Sequence, residues 1–149
     1  MLRLEALKEI CSRHGVGAVY LFGSMAESAH RLLLGEEVSW DDPLADVDVG
    51  LVFLDPSVLT EAGRRLELYV KLHNALSDFF PAGRLDLVFL QQTHSVFQAQ
   101  AIATGYCIYT ASPEFREAYE ERVLAKAADF RFVLERYYAE RLEEVGLEH

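Results

Sequence analysis

The sequence predicts a small layered fold of the α/β (α+β) class, one β-sheet flanked by helices. Three observations predict it. Short apolar runs bounded by glycine or proline alternate with segments whose apolar residues recur at helical spacing, and such alternation builds layers. The 149 residues fit one domain of ordinary size. Apolar residues make up 51% of them, enough for one core and too many for a disordered chain.

The elements follow in order. Leu2, Leu4, Leu7, Ile10 and Cys11 recur at helical spacing, and Gly15 after His14 is a stop, so a helix comes first. Residues 18–22 form an apolar run between glycines and read as a buried strand. Gly23-Ser24 breaks it. A helix over residues 25–34 follows, then a polar loop over 35–43. Residues 45–54 read as the second strand, closed by Asp55-Pro56. Residues 57–79 read as a helix with Leu59, Leu66, Tyr69, Val70, His73 and Leu76 near one face and Gly63 as its weak point. Pro81-Ala82-Gly83 is a turn, and residues 84–90 are the third strand. Thr93 caps a short helix ending near Thr104-Gly105, and residues 106–109 form a small strand.

Ser112-Pro113-Glu114 is a helix start: a capping serine, proline at the first helical position and an acid in the first turn. The pattern then stays helical to about Val145. A helix of about 33 residues is roughly 50 Å long, wider than a domain of this size, so it either breaks into a pair or projects. Its Phe130, Phe132, Tyr137 and Tyr138 then suit a partner surface, homo- or hetero-oligomeric; the other reading is a helix packed wholly on its own sheet. Leu147-Glu148-His149 looks like the start of a vector-encoded tag. The expected organisation is a single domain over 1–146, with a helical extension from about 113.

Charge narrows the partners. Fourteen Lys+Arg against 24 Asp+Glu give a net −10. Such a surface repels a phosphate backbone unless cations cluster, and the longest basic run is Arg64-Arg65. Direct nucleic-acid binding is therefore not expected, whereas a nucleotide is acceptable if a metal supplies positive charge. The apolar runs fall far short of the roughly 20 residues that span a bilayer, and no secretory signal is visible. The expectation is a cytoplasmic protein with no membrane partner. Cys11 and Cys107 lack metal-ligand spacing and read as buried reduced thiols.

Chemistry concentrates on carboxylates. Alternation along the second strand puts Asp46 and Asp48 on one face, with Val47 and Val49 on the other. Two carboxylates side by side on an apolar strand repel each other and are costly to desolvate. A divalent cation offsets both costs, and Mg²⁺ prefers oxygen ligands. Asp86 stands alone in the third strand, Leu85-Asp86-Leu87-Val88-Phe89. If that strand lies beside the second, three carboxylates gather to hold Mg²⁺ with a triphosphate and to take the proton of an attacking hydroxyl. Gly23-Ser24 follows a strand and opens a helix, where backbone N–H groups and the serine hydroxyl suit phosphate oxygens.

The order strand, Gly23-Ser24, helix, strand with Asp46-Val47-Asp48, helix, strand with Asp86 resembles the minimal nucleotidyltransferases of the DNA polymerase beta-like superfamily. The tail extends the likeness. Ala103-Thr104-Gly105-Tyr106-Cys107-Ile108-Tyr109, then Ser112-Pro113-Glu114-Phe115-Arg116 and a tyrosine-rich helix, is similar to the small MNT-domain proteins encoded beside HEPN-domain toxins. The resemblance implies a nucleotidyltransferase core of a few mixed strands flanked by helices. It implies an antitoxin that transfers AMP from ATP to a tyrosine of the HEPN toxin with Mg²⁺. It assigns Asp46 and Asp48 to metal, Asp86 to metal and nucleophile activation, and Gly23 and Ser24 to the nucleotide phosphates. Two other readings are an antitoxin that neutralises by contact alone and a nucleotidyltransferase acting on a small-molecule hydroxyl.

The chain departs from the family pattern between these motifs. Ser28 stands near the expected second glycine, and Ala45 replaces the serine before Asp46. Ser24 and Asp46 are 22 positions apart (46 − 24), longer than the usual gap. The insertion near 30–43, with Asp41, Asp42 and the single Trp40, suits a lid, a partner loop or a neutral surface loop, with Trp40 over a base, against a partner or packed locally. Arg31, Arg64, Arg65 and Arg84 are phosphate-contact candidates, none singled out, and the scattered histidines read as surface or packing residues.

Overall fold

The computed structural model describes residues 3–40, 42, 44–80 and 84–144. Four strands form one mixed sheet: β1 (Val16–Phe22), β2 (Val47–Phe53), β3 (Leu85–Phe89) and β4 (Tyr106–Thr110), in the order β3-β2-β1-β4. β1 pairs antiparallel with β2 and β4, whereas β2 and β3 run parallel. β1 and β2 are buried on both faces, which is why they read as unbroken apolar runs rather than alternating ones.

Helices cover both faces. α1 (Arg3–Arg13), α2 (Ala26–Leu33) and α3 (Ala62–Ser77) lie on one, where Leu7, Cys11, Leu33, Leu72 and Leu76 join Val19, Leu21, Val49, Leu51 and Leu87 in one core cluster. α4 (Ser95–Thr104) and α5 (Pro113–Glu144) lie on the other, where Ala101, Tyr119 and Val123 meet Ala18, Tyr20, Val52 and Leu90. The expected class, a small mixed sheet flanked by helices, is the one observed.

Local expectations need three corrections. The 57–79 helix is two pieces: a 3₁₀ turn at Pro56–Leu59, capped by the Asp55 carboxylate on the Ser57 N–H at 3.0 Å, and then α3. The break shifts the phase, so α3 buries Leu72 and Leu76 while Leu66 and Val70 face solvent. The cap of α4 is His94, whose Nδ1 accepts from the Val96 N–H at 3.1 Å; the Thr93 hydroxyl instead donates back to the Leu90 carbonyl. Cys11 is buried and its thiol pushed up to about 12 by desolvation, but Cys107 is only half-buried. The expected turn at 81–83, Leu2, Asp41, Val145 and the 147–149 segment lie outside the described residues.

Ser112 caps α5 as expected, accepting from the Phe115 N–H at 3.1 Å. α5 is one continuous helix of 32 residues. Tyr119, Val123 and Ala127 are buried, and among the described residues nothing beyond Ala127 is. Of the two expected outcomes, a pair or a projection, it projects.

Candidate active site

The parallel ladder sets the site. Asp48 of β2 is in register with Asp86 of β3, and Phe22 of β1 is in register with Asp48. Laterally registered residues share a face, so Asp86, Asp48 and Phe22 form one row across three strands. Asp46 lies one residue ahead of β2, two before Asp48. Asp46 and Asp86 are exposed, and Asp48 is half-buried.

The carboxyls are electrostatically frustrated. Desolvation is the largest cause pushing Asp48 up to about 6; a hydrogen bond with Asp86, repulsion from Asp86 and repulsion from Asp46 add to it. A carboxyl–carboxyl hydrogen bond needs a proton on one partner, so it belongs to the range below about pH 6, where Asp48 holds its proton.

Gly23 completes the corner. Its φ is +77°, and a Cβ there would strike Asp48 Oδ2. The absent side chain thus leaves the Asp48 carboxylate open beside the end of β1. Ser24 is exposed next to it, and α2 starts two residues later. Met25, at the N-cap, contributes no side-chain hydrogen bond, and the Ala26 N–H turns back to the Gly23 carbonyl at 3.3 Å. The first-turn N–H groups of α2 suit anionic oxygens.

This donor set fits a hard divalent cation. Its ligands are carboxylate oxygens, and a cation would offset the desolvation and mutual repulsion that push Asp48 up. Among the described residues no three His, Cys, Asp or Glu side chains stand together as a ready-made cation cage. A cation held there would draw its remaining oxygen ligands from water or from a bound ligand.

Other candidates find ordinary work. Trp40 packs partly buried against the main core, its indole Nε1 unpartnered, so of its expected placements local packing is the one seen. The Asp42 carboxylate accepts from the Leu44 N–H at 2.9 Å and shapes a turn. Arg31 pairs with Glu36 at 3.3 Å, Arg65 donates to the Leu59 carbonyl at 2.9 Å, and Arg64 lies beside Asp55 at the opposite end of the strands. The Arg84 carbonyl accepts from the Val47 N–H at 2.6 Å, which starts the β2–β3 ladder; that backbone bond does not engage its guanidinium, two residues before Asp86, which stays a phosphate-contact candidate. Gly105 was legible only as a helix stop, yet a Cβ there would crowd Phe22 Cβ at 3.1 Å and collide with the Leu21 carbonyl.

The sheet thus sets Asp48 and Asp86 in one row beside a glycine corner at the strand end. Residues 5–114 match the family described as polymerase beta, nucleotidyltransferase, and the chain belongs to that family. The match ends in the first turn of α5. Solved structures of toxin–antitoxin proteins share the fold. One, a toxin–antitoxin with AMP-PNP, has a TM-score of 0.56 at 18% identity and covers 97% of each chain. A variant of the toxin–antitoxin MntA–HpeT has 0.57 at 17%, covering 97% of this chain and 98% of that one. A protein from Shewanella oneidensis has 0.50 at 16%, covering 93% and 95%. No curated protein matches the chain. Among the described residues no helix is long and apolar enough to cross a membrane.

Proposed function

We propose that this chain is a Mg²⁺-dependent nucleotidyltransferase serving as an antitoxin, which moves AMP from ATP to a tyrosine hydroxyl of a partner HEPN-domain toxin. The observation that carries the chemistry is the register of Asp48 with Asp86 beside Gly23. Family membership supports nucleotidyl transfer, and the AMP-PNP of one structural relative supports a nucleoside triphosphate. The toxin–antitoxin relatives, alike over nearly the whole chain, support the partner.

Asp46, Asp48 and Asp86 would hold the cation, whose positive charge offsets that of the phosphates. Gly23, Ser24 and the first turn of α2 receive the outer phosphates. Asp86, exposed on the edge strand, faces the incoming hydroxyl and accepts its proton. A bond then forms between that oxygen and the α-phosphorus as the bond to pyrophosphate breaks, leaving AMP on the acceptor.

The test incubates the protein with labelled ATP, Mg²⁺ and the product of the neighbouring gene. Label should appear on the partner and vanish with Asp46→Ala and Asp48→Ala. Neutralisation of the toxin that persists in the double variant would show that contact alone suffices.

A further inference from the structure

We infer that Phe22 and Phe97 form the shelf on which the base of the bound nucleotide stacks, an inference that rests on the nucleotidyltransferase reading above. The row across the sheet runs Asp86 on β3, Asp48 on β2 and Phe22 on β1. Three directions leave the α-phosphate position over Asp48. The acceptor approaches over the edge strand, past Asp86. The pyrophosphate lies beyond the end of β1, against Gly23, Ser24 and α2, since in-line displacement sets leaving group and nucleophile on opposite sides. The ribose and base are left with the third direction, across β1 towards α4.

That path ends on aromatic surface. Phe22 is half-buried, and Phe97 of α4 is 41% exposed although its helical neighbours Gln98 and Ala101 are buried. The two rings meet edge-on, centroids 5.6 Å apart and planes at 89°. An edge-on pair leaves ring face uncovered for a third ring. Gly105 permits the arrangement, because only a residue without a Cβ lets the end of α4 seat against Phe22 and Leu21. Neither phenylalanine carries a hydrogen-bonding atom, so the shelf ranks bases by stacking area. It favours purine over pyrimidine nucleotides without separating adenine from guanine.

Calorimetric titration with ATP and with inorganic tripolyphosphate, both with Mg²⁺, tests this. Wild-type protein should bind ATP more tightly than tripolyphosphate. Phe97→Ala should weaken ATP by roughly 5- to 150-fold, the range that base–aromatic stacking carries, and leave tripolyphosphate unchanged. Phe97→Trp should retain ATP affinity, and Phe97→Leu, which keeps apolar bulk without a ring, should resemble the alanine variant. Equal weakening of both ligands, or no change in ATP affinity, overturns the shelf. So does a Phe97→Ala protein that binds ATP normally but has a raised KM for the acceptor protein, which would give the ring to the acceptor. Wild-type protein that binds both ligands equally overturns the shelf alone, whereas binding of neither overturns the nucleotidyltransferase reading as well.

Discussion

At the scale of single residues the site turns on Gly23 and Asp48. Gly23 sits at φ +77°, where an L side chain costs about 1–2 kcal/mol, and a methyl group there would displace the Asp48 carboxylate. Gly23→Ala should lower stability by about that amount and abolish nucleotide-dependent transfer, read by urea unfolding and by label on the acceptor. Wild-type transfer in that variant would remove Gly23 from the site. Asp48 makes a pH prediction for the metal-free protein. Its carboxyl ordinarily titrates at 3.8, and at about 6 in the folded protein. Between those values the folded state binds more protons than the unfolded one, so this group's contribution to stability falls as pH rises from 3.8 to about 6 and stays low above it. Asp48→Asn should therefore be relatively more stable than wild type above pH 6, with the gap closing towards pH 4; Mg²⁺ should narrow it at high pH by binding the ionised carboxylate. Urea midpoints of both proteins across that range check this, and a gap independent of pH would contradict it. The candidate acids were legible, because a charged residue on an apolar strand needs a reason to be there. That Asp86 stands directly opposite Asp48 was conditional on strand order, which no local pattern encodes. Phe97 was illegible, since an exposed aromatic ring and a buried one look alike in one short helix.

At the scale of elements, the strands were legible and one helix face was not. β1 and β2 are covered by helices on both sides, so their sequences are continuous apolar runs that survive without any knowledge of topology. α3 misleads because Asp55-Pro56 starts a 3₁₀ turn, and counting helical phase from Ser57 carries the stripe onto Leu66 and Val70. The true stripe predicts that Leu72→Ala costs about 2–5 kcal/mol, whereas Leu66→Ala stays within about 0.5 kcal/mol. Chemical denaturation of the two variants separates the faces, and equal losses would mean that α3 is rotated from the orientation described. Caps divide in the same way. Ser112 was legible because proline follows it at the first helical position, and Ser112→Ala should cost about 0.5–2 kcal/mol. At α4 the acceptor is a histidine ring nitrogen, and histidine is not among the residues that mark helix starts in sequence.

At the scale of the whole molecule, α5 divides the chain into a part that folds the domain and a part that leaves it. Thirty-two residues span about 48 Å, and among the described side chains the last buried one on the helix is Ala127. Beyond it Phe132, Val133, Tyr137, Tyr138 and Leu142 are each more than half exposed. Among the described residues the outer half has little of its own to hold it: an Arg136–Glu140 contact at 3.5 Å, the Arg141 guanidinium 5.9 Å from the Tyr137 ring, and the Tyr137 and Tyr138 rings 5.7 Å apart, all on the surface. The one described ring contact back to the body is Phe130 against His94, centroids 4.5 Å apart. A helix end that contributes so little to its own domain, yet carries so much apolar surface, is suited to an interface with another chain. Ending the chain after Asp129 should therefore leave cooperative unfolding in place, with stability within about 1 kcal/mol of the parent, because the described side chains removed, residues 130–143, are exposed. ATP affinity should be unchanged, since the row of Asp86, Asp48 and Phe22 lies on strands that α5 covers only with its inner half. Transfer to the partner protein should collapse through weakened association, read as a raised KM for the acceptor with the KM for ATP preserved. Loss of cooperative unfolding in the shortened chain would instead make the outer half part of the fold, and undiminished transfer would place the partner's docking surface elsewhere.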